Sequence, residues 1–119
     1  MKDLGAFSKV YLAVQPVDFR KQINGLLVLV KERLEAQPFE PKSIFVFVNK
    51  SKSAVRMLYW DNTGYALWSK VLEKHRFQWP QKGEGGKMII SPKDLKWLLQ
   101  GLDIQKIKVH EPLQFQETF

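Results

Sequence analysis

The 119-residue chain contains no cysteine, which excludes disulfides, thiolate metal sites and cysteine nucleophiles and leaves His75 and His110 as its only imidazoles. A hydrophobic share of 45% suffices for one packed core, no run approaches the roughly 18 apolar residues of a membrane span, and "MKDLGAFSK" lacks a secretory apolar stretch, so a single cytoplasmic domain over residues 1–119 is expected. Residues 42–76 carry +5 of the net +7, which suits either a polyanion-binding surface or a soluble basic protein without one.

"KVYLAV" (residues 9–14) is rich in β-formers and stops at Pro16, predicting a short first strand. Asp18 then reads as an N-cap. Ile23, Leu26, Leu27, Val30 and Leu34 recur at helical spacing, predicting a helix from about Phe19 to Glu35 with one buried stripe. Gly25 interrupts it at a cost of about 1 kcal/mol relative to alanine, so a close neighbour is expected there. "PFEPK" cannot continue a helix, and the unbroken apolar run "SIFVFVN" after it predicts a central strand buried on both faces. "KSKS" turns the chain into "AVRMLYWD", "DNTG" turns it into "YALWSKVL", and "RFQW" follows, predicting a four-stranded meander.

"QKGEGGK" (residues 81–87) reads as a flexible loop and "MII" as a short edge strand. Ser91, Pro92 and Asp94 supply an N-cap, an N1 proline and a capping-box acid. Leu95, Leu98, Leu99 and Leu102 follow at helical spacing, with Gly101 as the stop. The tail from Asp103, with its alternating "IKV", either adds a strand or docks. The expected fold is α+β, an antiparallel β-meander sheet packed with two main helices.

"DNTG" suits a three-residue hairpin loop with Gly64 in the left-handed region, pairing Asp61 with Tyr65. Counting back places Trp60 opposite Ala66, Leu58 opposite Trp68 and Arg56 opposite Lys70 on one face; a two-residue loop would shift this register. Two facing cations repel unless an anion lies between them. Beside Trp60 and Trp68 they would form a surface suited to nucleic-acid strands. Alternatively, a helix covers both indoles and leaves the cations as a solvated rim. Arg20 and Lys21, placed in the first turn of the predicted helix, form a second candidate, a phosphate clamp; the competing reading is that Asp18 caps that turn and pairs with Arg20. Candidate nucleic-acid-binding residues are therefore Arg20, Lys21, Lys50, Lys52, Arg56, Trp60, Trp68, Lys70, Lys74, His75 and Arg76.

Asp18, Asp61, Glu73, Asp94 and Asp103 include no pair expected to converge on a metal, His75 and His110 are isolated, and "GEGG" precedes no lysine-serine, so no catalytic residues are expected.

The blocks "VYLAVQPVDFRKQINGL", "FVFVNK", "LYWDNTGYALWSKVLEKHRFQWP" and "LKWLLQGLDI", in that order and spanning most of the chain, resemble the TnpB-type accessory protein encoded by the second open reading frame of insertion sequences of the group numbered sixty-six. The resemblance implies a bacterial mobile-element protein that acts beside a separately encoded transposase, with a role in handling DNA and no cofactor. Its motif positions here are Asp18, Arg20, Lys21, Trp60, Asp61, Gly64, Lys70, Leu72, Phe77, Trp79 and Pro80. Two positions depart from the family pattern: Val71 stands where an arginine is usual, and His75 where a tight-turn glycine is usual. The expected function is a non-catalytic accessory role in transposition with DNA as partner. The alternative is a module that binds the transposase without touching DNA; neither involves a membrane or a small-molecule substrate.

Overall fold

A computed structural model describes residues 3–81 and 86–106. A short 3-10 turn, Leu4–Ala6, leads into β1 (Lys9–Ala13), α1 (Ile23–Glu32), β2 (Ser43–Val48), β3 (Ala54–Trp60), β4 (Tyr65–Val71), β5 (Lys87–Ile90) and α2 (Pro92–Leu99). The five strands form one sheet in the order β4-β3-β2-β1-β5. The fold is α+β as expected, but the sheet is mixed: β1 and β2 run parallel, while the other three pairs are antiparallel. The parallel pair has a simple cause. The segment between β1 and β2 contains α1, and a crossover of that length brings the chain back in the same direction, whereas a hairpin reverses it. "RFQW" adds no strand; it runs irregularly and buries Phe77 and Trp79.

All six residues of β2 are buried, as its apolar run predicts, because helices cover both faces of the sheet. Phe45 and Phe47 point toward α1 and pack with Leu26, Leu29, Val30 and Leu34. Ile44, Val46 and Val48 point the other way, toward Leu95, Leu98 and Leu99 of α2. Trp79 joins this second layer, and its indole N–H donates to the Ala13 carbonyl at 2.9 Å, giving a buried polar atom its partner. Among the described residues, no helix is long and apolar enough to cross a membrane.

The cap and stop signals of α2 are realised, while Leu102, read as part of its stripe, lies beyond Leu99 and is exposed. The Asp94 amide donates to Ser91 Oγ at 3.0 Å, and the Ser91 amide donates to Asp94 Oδ2 at 3.4 Å, closing a capping box with Pro92 in the first helical position. At the other end Gly101, at φ +89°, donates to Leu98 O while Leu102 donates to Trp97 O, the paired bonds of a Schellman stop. α1 is shorter than expected: it starts at Ile23 after Gln22, and Asp18 is not its N-cap. Its buried stripe holds Leu26 and Val30 as read, gains Leu29, and leaves Ile23 and Leu27 half-buried. Most of the loop 81–87 and the tail beyond Lys106 lie outside the described residues.

Candidate nucleic-acid interface

The β3–β4 connection decides which side chains share a face. It holds four residues, Asp61 to Gly64, with the Asp61 amide bonded to Gly64 O, Asn62 rather than Gly64 in the left-handed region at φ +54°, and Trp60 paired with Tyr65. Arg56 therefore lies opposite Ser69, and Lys70 opposite Val55, one residue from the predicted register. Because side chains alternate, a one-residue slip sends each β4 side chain to the other face. The slip lets Trp68 pack against the α2-side core and Leu67 against the α1-side core. It also sets the Trp60 and Tyr65 rings edge to face at 4.9 Å.

The predicted basic-aromatic face is consequently not formed. Trp60 and Trp68 occupy opposite faces of the sheet, and so do Arg56 and Lys70. The Lys70 ammonium donates to Leu99 O at 2.8 Å beneath α2. Trp60 sits at the far end of β3, lining a recess of about 290 Å³ with Phe7, Pro41, Lys42 and Asn62.

The remaining candidates converge elsewhere. β1, β2 and β4 all end at the same edge of the sheet, so residues 14–22, 49–53 and 72–76 form three neighbouring loops. Asn49 builds the second: its Oδ1 accepts from the amides of Ser53 at 2.9 Å and Ala54 at 3.0 Å, and its Nδ2 donates to Ser53 Oγ. Lys52 turns the chain at φ +60°. The third loop is stitched to the second by Leu72 N to Ser53 O and Phe77 N to Lys52 O, each 2.8 Å, and by the Arg76 guanidinium donating to Ser51 O. Lys50, Lys74, His75 and Arg76 are exposed there, and Lys52 is half-buried.

The first loop is anchored to β2 by Val17 N donating to Val48 O at 2.8 Å. Asp18 then folds residues 18–21 into a turn. Its Oδ1 accepts from the Arg20 amide at 2.9 Å, its Oδ2 from Arg20 Nε at 2.9 Å and Nη2 at 2.6 Å, and Lys21 N donates to Asp18 O at 3.1 Å. The Arg20 side-chain bonds, then its amide, hold the Asp18 carboxyl well below the usual carboxylate range, with a smaller contribution from Lys50. The pairing of Asp18 with Arg20 was one of the two sequence readings, yet it does not cap α1, whose first turn carries no acid and whose Gln22 makes no side-chain capping bond.

Beneath this turn lies Arg56. Its Nη1 donates to Phe19 O at 2.8 Å and Lys21 O at 3.1 Å, and its guanidinium stacks 4.6 Å from the Phe19 ring centre. Residues 18–21 thus form a turn held from below by Arg56 and from within by Asp18, and α1 begins after it, at Ile23. The turn forms a ridge between two open grooves. One, of about 490 Å³, is lined by Lys21, Asn24, Arg56 and Ser69; the other, of about 600 Å³, by Asp18, Arg20, Asn49 and Lys50. Phe19 and Asn49 escaped the sequence reading. An asparagine before a polar turn is a local signal for the latter, whereas nothing local marks Phe19. Gly25 is explained here too: a Cβ on it would lie 3.1 Å from Lys21 Cβ, so the glycine lets the Lys21 stem lie over the first turn of α1. Among the described residues, no group of three or more His, Cys, Asp or Glu side chains could hold a metal.

The IS66 Orf2-like family model matches residues 8–109. Two proteins of Sinorhizobium fredii are similar to the chain: the uncharacterized protein y4jC, 39% identical over 100 residues covering 84% of each chain, and the uncharacterized protein y4hO, 36% identical over 95 residues covering 80% and 81%. No solved structure gives a significant match. With a family match that spans most of its length, the chain belongs to the IS66 Orf2-like proteins, which associates it with an accessory role in transposition.

Proposed function

We propose that this protein is a non-catalytic accessory factor in transposition that holds DNA backbone against the basic end of its sheet. One observation carries the reading: the topology gathers Arg20, Lys21, Lys50, Lys52, Lys74 and Arg76 from three separate loops to one edge, with Asp18 and Glu73 as the carboxylates of the same segments. A polyanion neutralised there releases condensed counterions, the main source of sequence-independent affinity. Contacts of this kind position a duplex or a strand without reading base order. Titration of labelled duplex and single-stranded oligonucleotides across several salt concentrations tests the proposal. The expected result is affinity that falls as salt rises, with a log–log slope of about −0.9 per duplex phosphate contacted or about −0.7 for a single strand. Absence of binding at low salt, or affinity indifferent to salt, would eliminate it.

A second reading, docking on the separately encoded transposase without DNA contact, is favoured by β4. This seven-residue strand ends the sheet order, so its outer edge has no strand partner among the described residues, and Val71 on it is 66% exposed. Such an edge accepts a strand from another chain. Co-purification separates the readings: retention of transposase by a variant stripped of the loop cations and of DNA affinity would favour the second.

A further inference from the structure

We infer that the turn at residues 18–21 is a preformed site for a phosphodiester group, taken by Arg20 and Lys21, and that Asp18 and Arg56 are positioning residues that hold it in shape. This inference rests on the proposed DNA-backbone reading and deepens it. Of the five N–H groups of a guanidinium, Asp18 engages those on the Nε and Nη2 side of Arg20, which leaves the Nη1 edge facing outward on a side chain that is 91% exposed. An arginine braced by a carboxylate on one edge offers the other as a rigid fork, matched to two phosphate oxygens. The backbone under it is fixed as well, because Arg56 bonds the carbonyls on either side of Arg20, those of Phe19 and Lys21. Arg56, a candidate contact by sequence, thus acts through the turn.

The assignment makes two predictions that run against simple charge counting. Asp18→Asn raises the net charge from +7 to +8 and retains an oxygen for the Arg20 amide and Nε, but its NH2 group cannot accept from Nη2. Electrostatics alone would tighten DNA binding; loss of the Nη2 brace, which lets the guanidinium swing, is expected to weaken it about threefold to tenfold. Arg56→Lys preserves charge, yet an ammonium cannot reproduce both the carbonyl bonds and the stacking on Phe19, so affinity is expected to fall about tenfold.

The experiment is a fluorescence-anisotropy titration of a labelled duplex and a labelled single strand at two salt concentrations, using the full chain, D18N, R56K, the Arg20→Gln and Lys21→Gln double variant, and D18N and R56K each combined with that double variant. Weaker binding by D18N and R56K, with little further loss in the double-variant background, is the expected non-additive pattern. Tighter binding by D18N, or parental binding by R56K, overturns the inference while leaving the wider basic edge intact. Parental binding by the double variant removes the ridge from the interface, and the inference with it; loss of salt-dependent binding by the parent itself is what defeats the broader reading. Thermal unfolding accompanies each protein, and if R56K proves unfolded, D18N decides alone, since Asp18 belongs to neither core cluster.

Discussion

The ammonium group of Lys70 donates to the Leu99 carbonyl at 2.8 Å, tying edge strand β4 to the last turn of α2. Helix C-terminal carbonyls lack intrahelical partners and carry the negative end of the dipole, so a lysine placed there satisfies one and compensates the other. Lys70→Met keeps the stem and loses the bond. It is expected to cost about 0.5–1.5 kcal/mol in denaturant unfolding while moving the salt slope of DNA binding by less than one phosphate's worth. A full unit of slope lost at unchanged stability would put Lys70 back in the interface.

Gly25→Ala sets two effects against each other. Alanine gains about 1 kcal/mol of helix propensity, but its Cβ would meet the Lys21 stem at Cβ, 3.1 Å, and Cγ, 3.3 Å, near the backbone where the side chain yields least. Stability is expected to change by less than about 1 kcal/mol while DNA binding weakens and its salt slope flattens by up to about 0.9. Paired thermal melts and titrations check this, and unchanged binding would show that Lys21 contributes nothing from its present position.

Asn49→Ala removes three hydrogen bonds that shape the turn carrying Lys50 and Lys52. Leaving the Ser53 and Ala54 amides without that acceptor is expected to cost about 1–3 kcal/mol. DNA affinity should fall as well, because both lysines and the bonded third loop lose their support. Hydrogen exchange at Ser53 and Ala54 reports the first effect, and titration the second.

The Asp18–Arg20 pair should leave a pH signature in stability. The folded carboxyl titrates below its unfolded value of about 3.9, so the pair's contribution is complete above that value and fades as pH falls below it toward the depressed folded pKa. The Tm difference between the parent and Asp18→Asn at pH 7 is therefore expected to shrink below about pH 4. A difference that stays constant from neutral to acidic pH would show that the pair contributes nothing to folding.

The amino-acid sequence alone determined what depends on neighbours within a few residues. Ser91, Pro92, Asp94 and Gly101 specify both ends of α2, because caps and stops are closed by groups three to five positions apart. "SIFVFV" suits a strand covered on both faces, since its alternating side chains are all removed from water only when both faces are covered. Tertiary structure decided the rest. A loop of four residues rather than three moves Trp68 and Lys70 to the face opposite Arg56, and it puts Trp68 and Leu67 against the cores on opposite faces of the sheet. The turn at residues 18–21 is held from outside its own segment, since Arg56, 35 positions beyond Lys21, donates to the Phe19 and Lys21 carbonyls. The meeting of three basic loops at one edge arises in the same way: their charges are written in the sequence, but their neighbourhood is created by the parallel return of β2 beside β1 and the reversals into β3 and β4.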